Sequence, residues 1–166
     1  SETNNIVCNK AEGKLKNLKN NVKNNDIHGT VGIGHTRWAT HGKPEVKNAH
    51  PHIDSSGKVA VVQNGIIENY QELKSKLEKE GIAFNSDTDT EVIPHLIQKE
   101  LFALSQLKLE NNGSTLLVAV RNVISDLEGT YALAVLWSGA PDSLVVARKQ
   151  APLIIGLGEG EFICAS

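Results

Sequence analysis

Residues 32–65 read GIGHTRWATHGKPEVKNAHPHIDSSGKVAVVQNG, and the reading of the rest of the chain works outward from them. Apolar, β-prone runs at 30–36 and 58–63 bracket the stretch, and each stops abruptly at polar residues. The first ends in His35-Thr36-Arg37-Trp38 and the second in Asn64-Gly65. Between them lies a loop rich in glycine, proline and histidine. Strands that end in such groups beside such a loop point to a ligand site held on a rigid sheet.

Outward from this core the pattern continues. Asn-Gly after a strand is ordinarily a hairpin signal. Here it runs into Asn69-Tyr-Gln-Glu72, an Asn N-cap with Glu three residues on, and then into Leu73, Leu77 and a stop at Gly81. The unit is therefore expected to be strand, loop, helix. That would leave Asn64 and Gly65 at the carboxyl end of a strand. Ser86-Asp-Thr-Asp-Thr-Glu91 opens a second helix, which tolerates Pro94 if it starts near Thr90. Leu116 to Leu127 form a third helix, and Leu15, Leu18 and Val22 space a short amphipathic one. Further strands are expected at 5–10, 31–36, 130–137, 144–148, 153–155 and 162–165. Strands and helices come in runs without βαβ alternation, so the class is α+β, with antiparallel sheet and helices on its faces.

Composition narrows the function. The chain has 166 residues, 40% apolar and 22% charged, with a formal net charge of −2. It can bury one sizeable core. Nothing in the charge favours nucleic acid or an anionic membrane, and the Lys14–Lys19 run reads as a solvated helix face. No membrane span or signal peptide is visible, so the cytoplasm is the default compartment. Cys8 and Cys164 make neither a disulfide framework nor a metal pattern.

Several residues carry chemistry. Arg37 at a strand end presents a fork for a carboxylate, or else a plain ion pair. Asp87 or Asp89 can receive an ammonium group, or simply favour a helix start. One Arg with one Asp is the minimum pair for an α-amino-acid zwitterion. Asn64 and Gly65 offer an amide and a close backbone N–H, the parts of an oxyanion hole or of a tight turn. His28, His35, His41, His50 and His52 read as hydrogen-bonding groups, because no metal-ligand spacing accompanies them. Gly156–Gly160 lacks what a phosphate cradle needs and reads as a turn, and no cofactor motif is present. Trp38 and Trp137 are most simply packing residues. A nucleophile for acyl transfer is missing: Cys8 and Cys164 read as buried thiols, and Ser1 is a remote alternative.

Four motifs occur in one order: His35-Thr-Arg-Trp-Ala-Thr-His-Gly42, Asn48-Ala-His-Pro-His52, Asn64-Gly-Ile-Ile-Glu-Asn69 and Ser86-Asp-Thr-Asp-Thr-Glu91. Together they resemble the glutaminase domain of the glutamine–fructose-6-phosphate aminotransferases, class II glutamine amidotransferases of the N-terminal-nucleophile hydrolase fold. The resemblance covers nearly the whole chain, and Ala147–Leu153 and Ile155–Gly158 extend it. It implies a four-layer αββα sandwich of two antiparallel sheets, with L-glutamine as substrate. Arg37 would hold the α-carboxylate of glutamine and Asp89 its α-ammonium. Thr40 and His41 would belong to a loop closing over it, Trp38 would face the ammonia route and His50 would line the pocket. Asn64 and Gly65 would form the oxyanion hole.

The resemblance also implies sugar-phosphate isomerase domains in the same polypeptide, a homo-oligomer, no metal and no cofactor. The related phosphoribosyl-pyrophosphate type and a catalytically dead glutamine-binding module are the alternatives. The family's N-terminal Cys and its strand have no counterpart in residues 1–10. Residues 1–166 are therefore expected to be a partial, inactive glutamine amidotransferase type 2 domain. Gln63 also replaces a His that often precedes Asn-Gly in the family, and Pro94 stands where a non-proline is usual.

Overall fold

The computed structural model describes residues 5–24, 29–37 and 43–166. Helix α1 spans Leu15–Asn24, and its apolar positions are partly exposed. Strands β1 (His52–Ile53) and β2 (Val59–Ile67) follow, then helices α2 (Tyr70–Lys79), α3 (Val92–Gln106) and α4 (Gly113–Ser125). Strands β3 (Gly129–Trp137), β4 (Val145–Lys149), β5 (Ile154–Leu157) and β6 (Phe162–Ala165) complete the order. The first four strands form one antiparallel sheet in the order β1-β2-β3-β4, and β5 with β6 forms a second. The α+β class with two antiparallel sheets and helices is as expected. Among the described residues no helix is long and apolar enough to cross a membrane.

Strand alternation sorts the larger sheet into two faces. Val59, Val61 and Ile67 of β2 and Tyr131, Leu133, Val135 and Trp137 of β3 enter a core built with α2, α3 and α4. Leu77, Ile93, Ile97, Leu116 and Val120 supply the helical side of that core. The opposite face carries Val62, Asn64, Ala132 and Ala134, which line a cavity of about 280 Å³. Across it stand residues 32–36 and the 164–166 end of β6. The β5–β6 hairpin leaves its apolar side chains uncovered among the described residues, with Leu157 79% and Phe162 82% exposed.

Several expectations need correction. Residues 31–36 are not a strand: exposure alternates along 31–37, but no described strand pairs with them. A strand needs a partner, and the local pattern cannot supply one. Residues 5–10 likewise form no strand. Asn64 and Gly65 do not end β2. They lie within it, opposite Ala132 and Tyr131 of β3.

Gly65 has φ +114°, and a Cβ there would stand 2.0 Å from the Thr130 carbonyl oxygen, so the close strand approach requires glycine. Asn69 does precede α2, but its side chain makes no cap. Its Nδ2 donates to the Asp126 carbonyl and its Oδ1 accepts from Glu128 N–H, tying α2 to the start of β3. Pro94 sits in the first turn of α3, where the missing N–H costs nothing. Cys8 and Cys164 are half-buried rather than buried.

Candidate functional site

The edge of β2 that faces β1 positions the site. Beyond the short β1 partner, Gln63 N–H donates to His50 Nδ1 at 3.2 Å and Ile67 N–H donates to Asp89 Oδ2 at 2.7 Å. The β2–β3 register runs without a slip from Val59 to Ile67. Alternation therefore places Gly65 N–H on this same edge, between His50 and Asp89. A backbone donor outside the ladder is what an oxyanion hole needs.

The Asn64 side chain leaves the other way, into the cavity. Its Oδ1 lies 2.7 Å from His35 Nε2, and its Nδ2 donates to the Ser166 carbonyl at 3.3 Å. The His35 ring stacks on His50 with centroids 4.2 Å apart, and His50 meets His52 edge-on at 4.9 Å. His52 Nε2 then lies 2.9 Å from Thr88 Oγ1, beside Asp89. The three described histidines of the loop thus form a stack that hydrogen-bonds, as expected. His28 and His41 lie outside the described residues. Among the described residues no group of three or more His, Cys, Asp or Glu could hold a metal ion.

The turn carrying Asp89 is clamped from within. The Glu91 carboxylate accepts from Asn85 N–H and Ser86 N–H at 2.8 and 2.7 Å, and from Ser86 Oγ–H. Burial alone would raise this carboxyl, but the His95 ring 3.9 Å away and the hydrogen bonds from Asn85 and Ser86 outweigh it and hold it at about 2. Glu91 therefore acts as an internal acceptor rather than as a charge for the helix start. Asp87 is committed elsewhere. It is exposed, pairs with Lys47 at 2.9 Å and exchanges hydrogen bonds with the buried Asn48.

Arg37 is half-buried and its Nη1 donates to the Lys43 carbonyl at 3.2 Å. With His50 it lines a second cavity of about 310 Å³. His35 and Thr36 line both this cavity and the one holding Asn64. Arg37, His50 and Asn64 are thus brought to adjoining cavities with a common wall. Asp89, 3% exposed, lines neither and reaches the group through Ile67 N–H and the edge of β2. Trp38, Thr40 and His41 lie outside the described residues. Sequence reasoning gave no role to Thr88, read His52 only as a hydrogen-bonding group and Glu91 as part of a helix start, and noted Gln63 only as a departure from the family. His-Pro-His and Ser-x-Thr-x-x-Glu were the available signals, but their contacts cross 36 residues or run inward.

Neutral imidazoles in this stack make stability pH-dependent. Burial, then neighbouring His35 and His52, lowers His50 to about 2. Burial, then Lys10, lowers His52 to about 4. Unfolded, both protonate near the ordinary 6.5. Below that pH the unfolded chain binds protons that the fold refuses, so stability falls on acidification. The loss approaches about 1.4 kcal/mol per pH unit for each histidine. His52 stops contributing near pH 4, while His50 continues below it. The urea-unfolding midpoint is expected to drop clearly between pH 7 and pH 5, and less so in a His50→Gln variant. A midpoint indifferent to pH over that window would contradict the buried neutral stack.

Residues 35–166, which include every candidate site residue, match the family described as "Glutamine amidotransferase domain". Among curated relatives, the chain is 56% identical over 161 residues to the glutamine–fructose-6-phosphate aminotransferase [isomerizing] of Thermosynechococcus vestitus. It is 54% identical over 157 residues to that of Synechocystis and 52% over 159 to that of Methanosarcina acetivorans. These matches cover 95–97% of this chain and 24–25% of the relatives, so the chain spans about a quarter of their length. Among solved structures, the glutamine phosphoribosylpyrophosphate amidotransferase of B. subtilis, complexed with ADP and GMP, matches with TM-score 0.59 and 28% identity. That match covers 78% of this chain and 26% of the other.

Proposed function

The chain belongs to the glutamine amidotransferase domain family, and on that premise we propose that it is the glutamine-hydrolysing part of an enzyme that transfers ammonia from L-glutamine to fructose 6-phosphate, making glucosamine 6-phosphate. Identity of 52–56% to three aminotransferases of that name, against 28% to the phosphoribosylpyrophosphate enzyme, favours this acceptor. The observation that carries the glutamine reading is the adjacency of the Asn64 side-chain amide to a Gly65 N–H that the β2–β3 register turns to the edge held by His50 and Asp89.

In the proposed reaction a cysteine thiolate attacks the side-chain carbonyl carbon of glutamine. The oxyanion is held by Asn64 Nδ2–H and Gly65 N–H. The leaving nitrogen takes up the proton that the thiol gave up, collapse expels ammonia and leaves a glutamyl thioester, and water cleaves the thioester to glutamate and free thiol. Arg37 pairs with the α-carboxylate and Asp89 with the α-ammonium, while His50 lines the pocket. Residues 1–166 are then a partial domain, joined in one polypeptide to sugar-phosphate isomerase domains in a cytoplasmic homo-oligomer. The nucleophile lies outside these residues. Burial raises the Cys8 thiol and Lys10 only partly offsets this, and Cys164 sits on the β5–β6 hairpin. That residues 31–37 form no strand among the described residues, and that the β5–β6 side chains are exposed among them, supports a further strand between the two.

The full-length protein supplied with L-glutamine is expected to form glucosamine 6-phosphate from fructose 6-phosphate and nothing from phosphoribosyl pyrophosphate. The reverse preference would overturn the acceptor. Failure to release glutamate at all would favour a binding module. The 166-residue polypeptide alone is expected to show no glutaminase activity above background. Because Cys164 lines the Asn64 cavity, activity there that vanishes in Cys164→Ser would overturn the placement of the nucleophile.

A further inference from the structure

We propose that His35 is a positioning residue for the Asn64 amide, fixing which end of that amide faces the reacting carbonyl; the proposal rests on the oxyanion-hole reading of Asn64. An amide side chain can present either its oxygen or its NH₂, and an oxyanion hole works only with the NH₂ turned inward. His35 Nε2 lies 2.7 Å from Asn64 Oδ1. His35 Nδ1 is buried and has no hydrogen-bond partner among the described residues. A buried orphan N–H costs more than an orphan lone pair, so the ring proton belongs on Nε2, which donates to Oδ1. That leaves both amide hydrogens of Asn64 for the other side. One of them reaches the Ser166 carbonyl at 3.3 Å, a contact that the flipped amide would turn into oxygen against oxygen.

The ring itself is held. It stacks on His50 with an interplanar angle of 17°, and His50 Nδ1 accepts Gln63 N–H, one residue before Asn64. Imidazole and amide are thus fastened to the same strand, so His35 cannot turn without leaving the stack. The low proton affinity of His50 keeps that surface uncharged at neutral pH.

Steady-state glutaminase kinetics of the full-length protein test this. His35→Phe keeps a ring on His50 and removes the donor; His35→Gln replaces the donor at similar reach. His35→Phe is expected to lower kcat up to about 100-fold, the lower end of what outright loss of an oxyanion-hole donor costs. The glutamine KM and thermal midpoint should stay near the wild-type values, and His35→Gln should recover most of kcat. In an Asn64→Ala background, adding His35→Phe is expected to cost little more, because the amide it orients is gone. Losses that multiply, a His35→Gln as slow as His35→Phe, or an effect on KM alone would overturn the positioning role while leaving the oxyanion hole standing. An Asn64→Ala variant with wild-type kcat would overturn the oxyanion-hole reading, and this proposal with it.

Discussion

Asn64→Ala in the full-length protein is expected to lower kcat for glutamine hydrolysis by about 10²–10³-fold, or about 2.7–4 kcal/mol of transition-state stabilisation. The glutamine KM should change little, because the amide meets charge that exists only after attack on the carbonyl. The fold should tolerate the change: Asn64 is exposed on the cavity face of β2, and its neighbours Ala132 and Ala134 are already small. Gly65, the proposed second donor, offers no equally clean test, since any Cβ there strikes the Thr130 carbonyl. Steady-state kinetics decide the matter, and a variant with undiminished kcat would remove Asn64 from the proposed mechanism.

Arg37→Ala is expected to act on the other constant. A guanidinium clamping a carboxylate makes two charge-assisted hydrogen bonds in a fixed fork, each worth about 1.5–3 kcal/mol. These bonds hold substrate and transition state alike, so their loss should raise the glutamine KM by about 100-fold or more and change kcat far less. Arg37→Lys should restore only part of the affinity, since an ammonium cannot reproduce the fork. Arg37 also donates to the Lys43 carbonyl, so a thermal midpoint measured alongside separates local loosening from lost binding. Unchanged glutamine affinity in Arg37→Ala would defeat the carboxylate assignment.

The parts of this fold that were legible in the sequence depend on local rules. Val59–Val62 and Tyr131–Val135 are continuous apolar runs, and both became central strands. Gly81 has a positive φ just past α2, and Pro94 fits the first turn of α3. What stayed hidden depends on partners far along the chain. The Asn-Gly pair looks like a turn until β3, more than 60 residues on, runs alongside it and carries β2 through to Ile67. Residues 31–36 alternate as a strand should, yet pairing is a property of two segments, and only one is present among the described residues.

The site divides in the same way. Arg37, Asn64 and Gly65 stood out because their chemistry sits at the ends of β-prone runs. His35 did not, since its bond to Asn64 spans 29 residues. Glu91 looked like an ordinary helix-start acid and is instead the acceptor that holds the Asp89 turn.

The most direct test of the central claim is a crystal structure of the full-length protein with L-glutamate, the hydrolysis product, bound. The account predicts the α-carboxylate on the Arg37 guanidinium, the α-ammonium on Asp89, and the γ-carboxylate against Asn64 Nδ2 and Gly65 N–H. Glutamate bound away from these groups, or Arg37 and Asn64 still facing separate cavities around it, would contradict it.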